Sequence, residues 1–130
     1  MDKESFKKQL KKYNFSFVDF NNIGTIRLEH SLEVDVDFNL FEKILISDRL
    51  NKGNFLTGIF PIKIKHIAVY NILILLTAAI IFIYESRHFN SFPLLMSYIL
   101  VTGWVLLWNS YYNTKSESIK STFMVWLEGK

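Results

Sequence analysis

Three carboxylates, Glu33, Asp35 and Asp37, recur at every second position of one stretch. Grouped carboxylates are the hard oxygen ligands that Ca²⁺ or Mg²⁺ takes. On one extended strand, however, neighbours in that series stand about 7 Å apart, too far to share an ion without ligands from elsewhere. The spacing favours a solvated strand face whose charge resists edge-to-edge pairing. The three histidines, His30, His66 and His88, are dispersed, and no His-x-x-x-His spacing occurs. No metal site is therefore expected, and His30 reads as a hydrogen-bonded histidine on the apolar face of a sheet. No nucleophile–base–acid arrangement, glycine-rich phosphate loop or dinucleotide fingerprint is present. Neither catalysis nor a bound cofactor is expected.

A second group of polar residues lies inside two apolar runs. The runs, 67–84 and 92–112, carry no Asp, Glu, Lys or Arg. A helix rises about 1.5 Å per residue, so roughly 20 apolar residues cross a hydrocarbon layer. The polar break at 85–91 is just long enough to reverse the chain, which predicts a transmembrane helical hairpin. In an antiparallel pair, positions at equal depth have residue numbers with a constant sum. Asn71 with Asn109 and Ala78 with Thr102 share one such sum, and the heptad spacing within each helix puts them on one seam. Asn71 is expected to face Asn109, with Ala79 and Gly103 allowing close approach. Packing, rather than an ion pathway, is the favoured role, because ionisable residues mark most such pathways.

Charge orients the hairpin. Lys63 and Lys65 precede the first run, and Lys115, Lys120 and Lys130 follow the second, whereas the break holds only Arg87. Short flanks rich in Lys and Arg stay cytoplasmic. Both termini are thus expected in the cytoplasm, at the inner membrane, and residues 1–12 carry no apolar stretch of the kind a signal peptide needs.

Residues 1–66 read as a small α+β module. Lys7, Lys8, Lys11 and Lys12 surround Phe6, Leu10 and Tyr13, which share one helical face. A basic amphipathic segment beside a membrane is expected to lie on lipid headgroups rather than bind nucleic acid, for which no motif is present. Residues 13–18 alternate like a strand, and 21–24 (Asn-Asn-Ile-Gly) signal a turn. A hairpin across that turn would oppose Phe17 with Leu28. Residues 25–40 alternate throughout, with Leu28, Leu32, Val34, Val36 and Phe38 on one face. Two geometries fit. One is a single long strand. The other is a hairpin turning at Glu29-His30-Ser31, and the lack of glycine there favours the single strand. Residues 40–51 read as a helix capped by Asn39, with a strand as the alternative. Residues 55–65 read as an edge strand or an interfacial lead-in. Residues 113–130 read as a separate amphipathic tail carrying Trp126, which would lie on the inner leaflet or cover the sheet.

The composition, 130 residues with no cysteine and a formal charge of +3, allows one small domain plus the hairpin and excludes disulfides. The expected architecture is an α+β membrane protein. A small cytoplasmic antiparallel sheet with short helices (1–66) precedes the two-helix hairpin (67–112) and the tail. The apolar strand face looks too large for the short helices to cover. The expected function is accordingly a membrane-anchored interaction, regulatory or immunity-type accessory subunit, with the bilayer and a protein partner or second copy as its contacts. The alternative is an oligomeric channel or membrane-disrupting effector gated by the sheet.

Overall fold

The computed structural model describes residues 3–20, 23–38, 44–87 and 91–129. The chain is α+β; its described residues form a five-stranded antiparallel sheet in sequential order and three α-helices. The elements are α1 (Lys3–Lys12), β1 (Ser16–Phe20), β2 (Ile23–Arg27), β3 (Leu32–Asp37), β4 (Leu45–Leu50), β5 (Ile62–Lys63), α2 (Ile64–Glu85) and α3 (Ser91–Glu128). By length and composition, α2 and most of α3 are suited to crossing a membrane. Most of their apolar side chains face outward, Val69, Leu73, Leu76, Ile80, Leu100 and Leu107 among them.

Helix α1 ends where Asn14 enters the left-handed region (φ 56°). The Phe15 N–H reaches back to the Leu10 carbonyl at 3.0 Å, which closes the helix end and directs the chain into β1. β1 pairs with β2 through Phe17 opposite Ile26. That is two residues away from the expected partner, so the faces keep their parity and apolar still meets apolar. Gly24 lies within β2 rather than in the turn. Its role is space: a Cβ there would stand 2.6 Å from the Phe17 ring.

Of the stretch 25–40, the described residues, 25–38, form a hairpin and not one long strand. Arg27 pairs with Glu33 and Ile26 with Val34 around a three-residue 3₁₀ turn, Glu29–Ser31. The turn forms without glycine because His30 and Ser31 both accept positive φ, 55° and 63°. Such backbone costs on the order of 1–3 kcal/mol per residue and persists only where its surroundings hold it. Here they do so by hydrogen bonds: the Asn51 N–H donates to the Ser31 carbonyl at 2.8 Å, and the Tyr112 hydroxyl donates to the His30 carbonyl at 2.7 Å.

Residues 45–50 form strand β4 instead of the expected helix, and the expected cap, Asn39, lies outside the described residues. β4 pairs with β3 from Leu32–Leu50 to Asp37–Leu45. Its Ile46 joins the sheet's apolar face, so alternation across a paired strand overrides the helical spacing. β3 is thus the central strand, and its carboxylates do not guard an edge.

The expected tail is not separate. α3 runs unbroken for 38 residues, about 57 Å. Nothing between Tyr112 and Gly129 breaks a helix, and Gly129 (φ 70°) follows its end. Its far end closes the sheet. Ile119, Phe123 and Leu127 pack with Phe6 and Leu10 of α1 over Ile26, Val34 and Val36. Phe6 meets Phe123 edge-on at 5.5 Å, and Tyr13 stacks on Trp126 at 5.0 Å. A second cluster, Leu32, Leu50, Ile64, Ile67 and Tyr112, joins the sheet to the base of α2 and α3.

Replacing Gly24 with Ala forces the Phe17 ring out of place. We expect a loss of about 1–3 kcal/mol in unfolding free energy, the usual range for overpacking, measured by denaturant titration of the full chain.

Candidate functional site

The residues that matter most lie where the sheet module meets the α2–α3 pair. Three pieces converge there: the His30 turn, the loop 51–61 between β4 and β5, and residues 104–112 of α3. The His30 ring lies edge-on between Phe55, Trp108 and Tyr111, with centroids 5.3, 5.3 and 5.5 Å away. Phe55 stacks flat on Trp108 at 4.1 Å and 8°. The Tyr112 hydroxyl accepts from the Phe55 N–H at 3.2 Å while it donates to His30. Trp104 Nε1 donates to the Phe55 carbonyl at 2.8 Å. His30 is therefore not a core histidine of the sheet face. It sits exposed at a turn, held by aromatic edges.

The loop is organised from within by Asn54, whose side chain is buried. Its Oδ1 accepts from the Leu56 and Thr57 N–H groups at 3.0 and 2.6 Å. Its Nδ2 donates to the Asn51 carbonyl at 2.8 Å and to Thr57 Oγ1 at 2.6 Å. Gly53 (φ 80°) and Gly58 (φ 64°) supply the left-handed backbone on which the loop turns.

The sheet's outer face carries three cross-strand rows, Arg27–Glu33–Arg49, Thr25–Asp35–Ser47 and Ile23–Asp37–Leu45. Glu33, only 3% exposed, is the hub. It accepts from Arg27 Nε at 3.2 Å, Arg49 Nε at 3.0 Å and Asn51 Nδ2 at 2.8 Å. Asp35 accepts from Thr25 Oγ1 at 2.7 Å. Cations and hydroxyls of the same face thus engage these two carboxylates, and among the described residues no His, Asp and Glu grouping could hold a metal ion. The third row leaves Ile23 and Leu45 exposed at the end of the sheet away from the His30 turn. On the opposite face, Asp48 is gripped by α3. It accepts from Ser116 Oγ and from Lys120 Nζ, the latter at 2.9 Å. Burial works against the Lys120 charge, but hydrogen bonds to Glu117 and Asp48 outweigh it and raise the pKa above its usual value.

The residues singled out from sequence are placed as follows. Val34 and Val36 are fully buried, with Leu28 and Phe38 partly so, under α1 and α3, and Leu32 is fully buried against Ile64, Ile67 and Tyr112 of α2 and α3. The strand face assigned to a partner is thus filled from within the chain, because the continuous α3 brings Ile119, Phe123 and Leu127 onto it. Phe6 and Leu10 of α1 are committed to the same core, and Trp126 packs among Phe6, Tyr13 and Phe15. Lys8, Lys11 and Lys12 remain exposed at the end of the module remote from α2, and Lys7 pairs with Glu4 at 3.0 Å. Lys63 and Lys65 are exposed at the base of α2.

Within the helix pair, the rings of Phe82 and Tyr98 meet at 5.9 Å, and their numbers have the constant sum inferred for the seam. Asn71 is 5% exposed, yet neither its oxygen nor its nitrogen has a partner among the described residues. Asn109 instead accepts from Asn113 along its own helix at 3.2 Å, so the expected interhelical bond is not made. Thr102 donates to the Tyr98 carbonyl and Thr77 to the Leu73 carbonyl, both at 2.8 Å. Ala78 lines a small apolar cavity of about 160 Å³ with Phe82 and Tyr98. A Cβ at Gly103 would meet nothing within 4 Å, so that glycine does not mark a close approach. His66 is exposed near the start of α2, and His88 lies outside the described residues.

Sequence reasoning missed the Tyr112 bridge and the loop's internal wiring. The signal present was Asn54-x-x-Thr57 between two glycines, a spacing suited to a side-chain-closed turn.

Tyr112→Phe removes the bridge and strands the His30 carbonyl and the Phe55 N–H. We expect a loss of about 1–3 kcal/mol, with faster proteolysis of the loop in detergent-solubilised protein. Asn71→Leu removes a buried amide that has no partner among the described residues, and should leave the thermal midpoint unchanged or raised. A drop of more than about 1 kcal/mol would mean that Asn71 makes a bond.

No family model matches this chain, and neither a curated protein nor a solved structure matches it significantly.

Proposed function

We propose that this chain is a two-span integral protein of the inner membrane, with both termini cytoplasmic, acting as a membrane-anchored interaction subunit of accessory, regulatory or immunity type. The observation that carries this reading is the continuity of α3. One helix contributes both to the outward-facing apolar pair and to the core of the sheet. The sheet is thereby mounted on the pair rather than tethered to it. The exposed lysines at the foot, Lys63, Lys65 and Lys115, agree with a cytoplasmic base.

The partner surface on this reading is the outer sheet face. Its ionic rows are already held in place by mutual bonds, so little ordering is lost on contact. Its far row offers exposed Ile23 and Leu45 beside Asp37, an apolar patch next to charge. The partner is a protein or a second copy of this chain, not nucleic acid. The exposed lysines of α1 favour acidic protein surfaces over lipid, because α1 sits at the end of α3 farthest from α2.

The test is the mass of the assembly extracted in native lipid. The parent chain should run larger than a monomer, and Leu45→Arg should lower that mass while leaving resistance to carbonate extraction unchanged. A parent chain that runs as a bare monomer overturns the interaction role. A terminal tag reachable from outside intact cells overturns the orientation.

A further inference from the structure

The loop 53–60 is built like a segment that lives in hydrocarbon. Between Lys52 and Lys63 no residue is charged. Lipid accepts irregular backbone only where its polar groups are satisfied within the protein. Six of the eight N–H groups of this loop are so satisfied. Those of Gly53, Gly58 and Phe60 bond to carbonyls within the loop, Leu56 and Thr57 to Asn54 Oδ1, and Phe55 to Tyr112. The Phe55 carbonyl, turned toward α3, takes the Trp104 indole N–H, and the Phe60 carbonyl takes the Thr57 hydroxyl.

With its polar groups turned inward, the loop presents its apolar ones. Ile59 is 76% exposed, Phe60 66% and Phe55 40%. A water-facing loop of this size would show the reverse, a solvated backbone with apolar side chains tucked under it. Its position agrees. Phe55 is docked on Trp104 and Trp108, which lie eight and four residues inward of Tyr112 on the apolar part of α3, about 12 and 6 Å along the axis. The flanking Lys52 and Lys63 are exposed, and their long stems let the charge reach the headgroup layer from either side.

We infer that residues 53–60 form a re-entrant wedge in the cytoplasmic leaflet, with Ile59 and Phe60 in contact with lipid acyl chains. The inference rests on the two-span reading and adds a third membrane-embedded element to it. Lipid surrounds the wedge on the side away from α3. The sheet is then held to the bilayer at two places, the helix pair and the wedge.

The chain has no cysteine, so a single introduced one is a unique label site. Full-length Ile59→Cys and Phe60→Cys, spin-labelled and reconstituted in phosphatidylcholine–phosphatidylglycerol vesicles, are compared with two references. Leu76→Cys reports the outward face of α2, and Ser121→Cys reports an exposed position of α3 beyond the apolar pair. The expected ratio of oxygen to water-soluble nickel accessibility at 59 and 60 is within about twofold of position 76 and roughly fivefold or more above position 121. If 76 is lipid-exposed while 59 and 60 match 121, the wedge is overturned and the two-span reading stands. If 76 itself matches 121, both are overturned.

Discussion

One phenolic oxygen joins the two halves of this molecule. Tyr112 is fully buried, and its hydroxyl donates to the His30 carbonyl and accepts from the Phe55 N–H. The first contact anchors a turn with two residues in left-handed backbone. The second anchors a loop whose other bonds are mostly internal. Both segments come from the sheet module, and the tyrosine comes from the long helix more than fifty residues later in the chain. A buried hydroxyl that serves two backbone partners at once cannot be replaced by water without opening the site, so the turn, the loop and the helix hold their positions together.

The contrast between that junction and the helix pair is informative. Polar side chains of the pair look inward to their own helices: Thr77, Thr102 and Asn109 each bond to a residue four positions away along the same helix. Asn71 and the Trp108 indole N–H are buried without partners among the described residues. Contacts between the helices are therefore mainly dispersive, ring on ring at Phe82 and Tyr98 and side chain on side chain around the small apolar cavity. Directional bonding concentrates at the junction, and the strain of the His30 turn is placed there as well.

The alternation of residues 25–40 identified the sheet's two faces correctly by parity, and parity survived the two-residue difference in the β1–β2 register. It offered the reversal at Glu29-His30-Ser31 only as the alternative to one long strand, and the choice between them went the wrong way. Glu29-His30-Ser31 has no glycine, and its unfavourable backbone is stabilised by Tyr112, some eighty residues away in sequence. Such a turn is written in tertiary contacts rather than local chemistry. Residues 45–50 failed for a related reason. Leu45 and Ile46 suit either period, and the decision belongs to the open edge of β3. The apolar strand face was recognised, but its occupant was misjudged, because a polar stretch after Tyr112 looks like the end of a span although nothing in it stops a helix. Of the three neighbours that engage Glu33, Arg27 lies on β2, while Arg49 and Asn51 lie on β4 and just beyond, where a helix had been expected.

The unbroken α3 has a mechanical consequence. A helix that is stiff over about 57 Å transmits rotation. On the two-span reading, a bilayer that thickens or thins changes the tilt of the apolar pair. Phe123 and Leu127 lie some 16–22 Å beyond Tyr112 along the axis, so a change of about 10° swings them and the sheet they carry sideways by roughly 3–4 Å. Lipid thickness at one end would thereby be read out as a lever-arm displacement at the other.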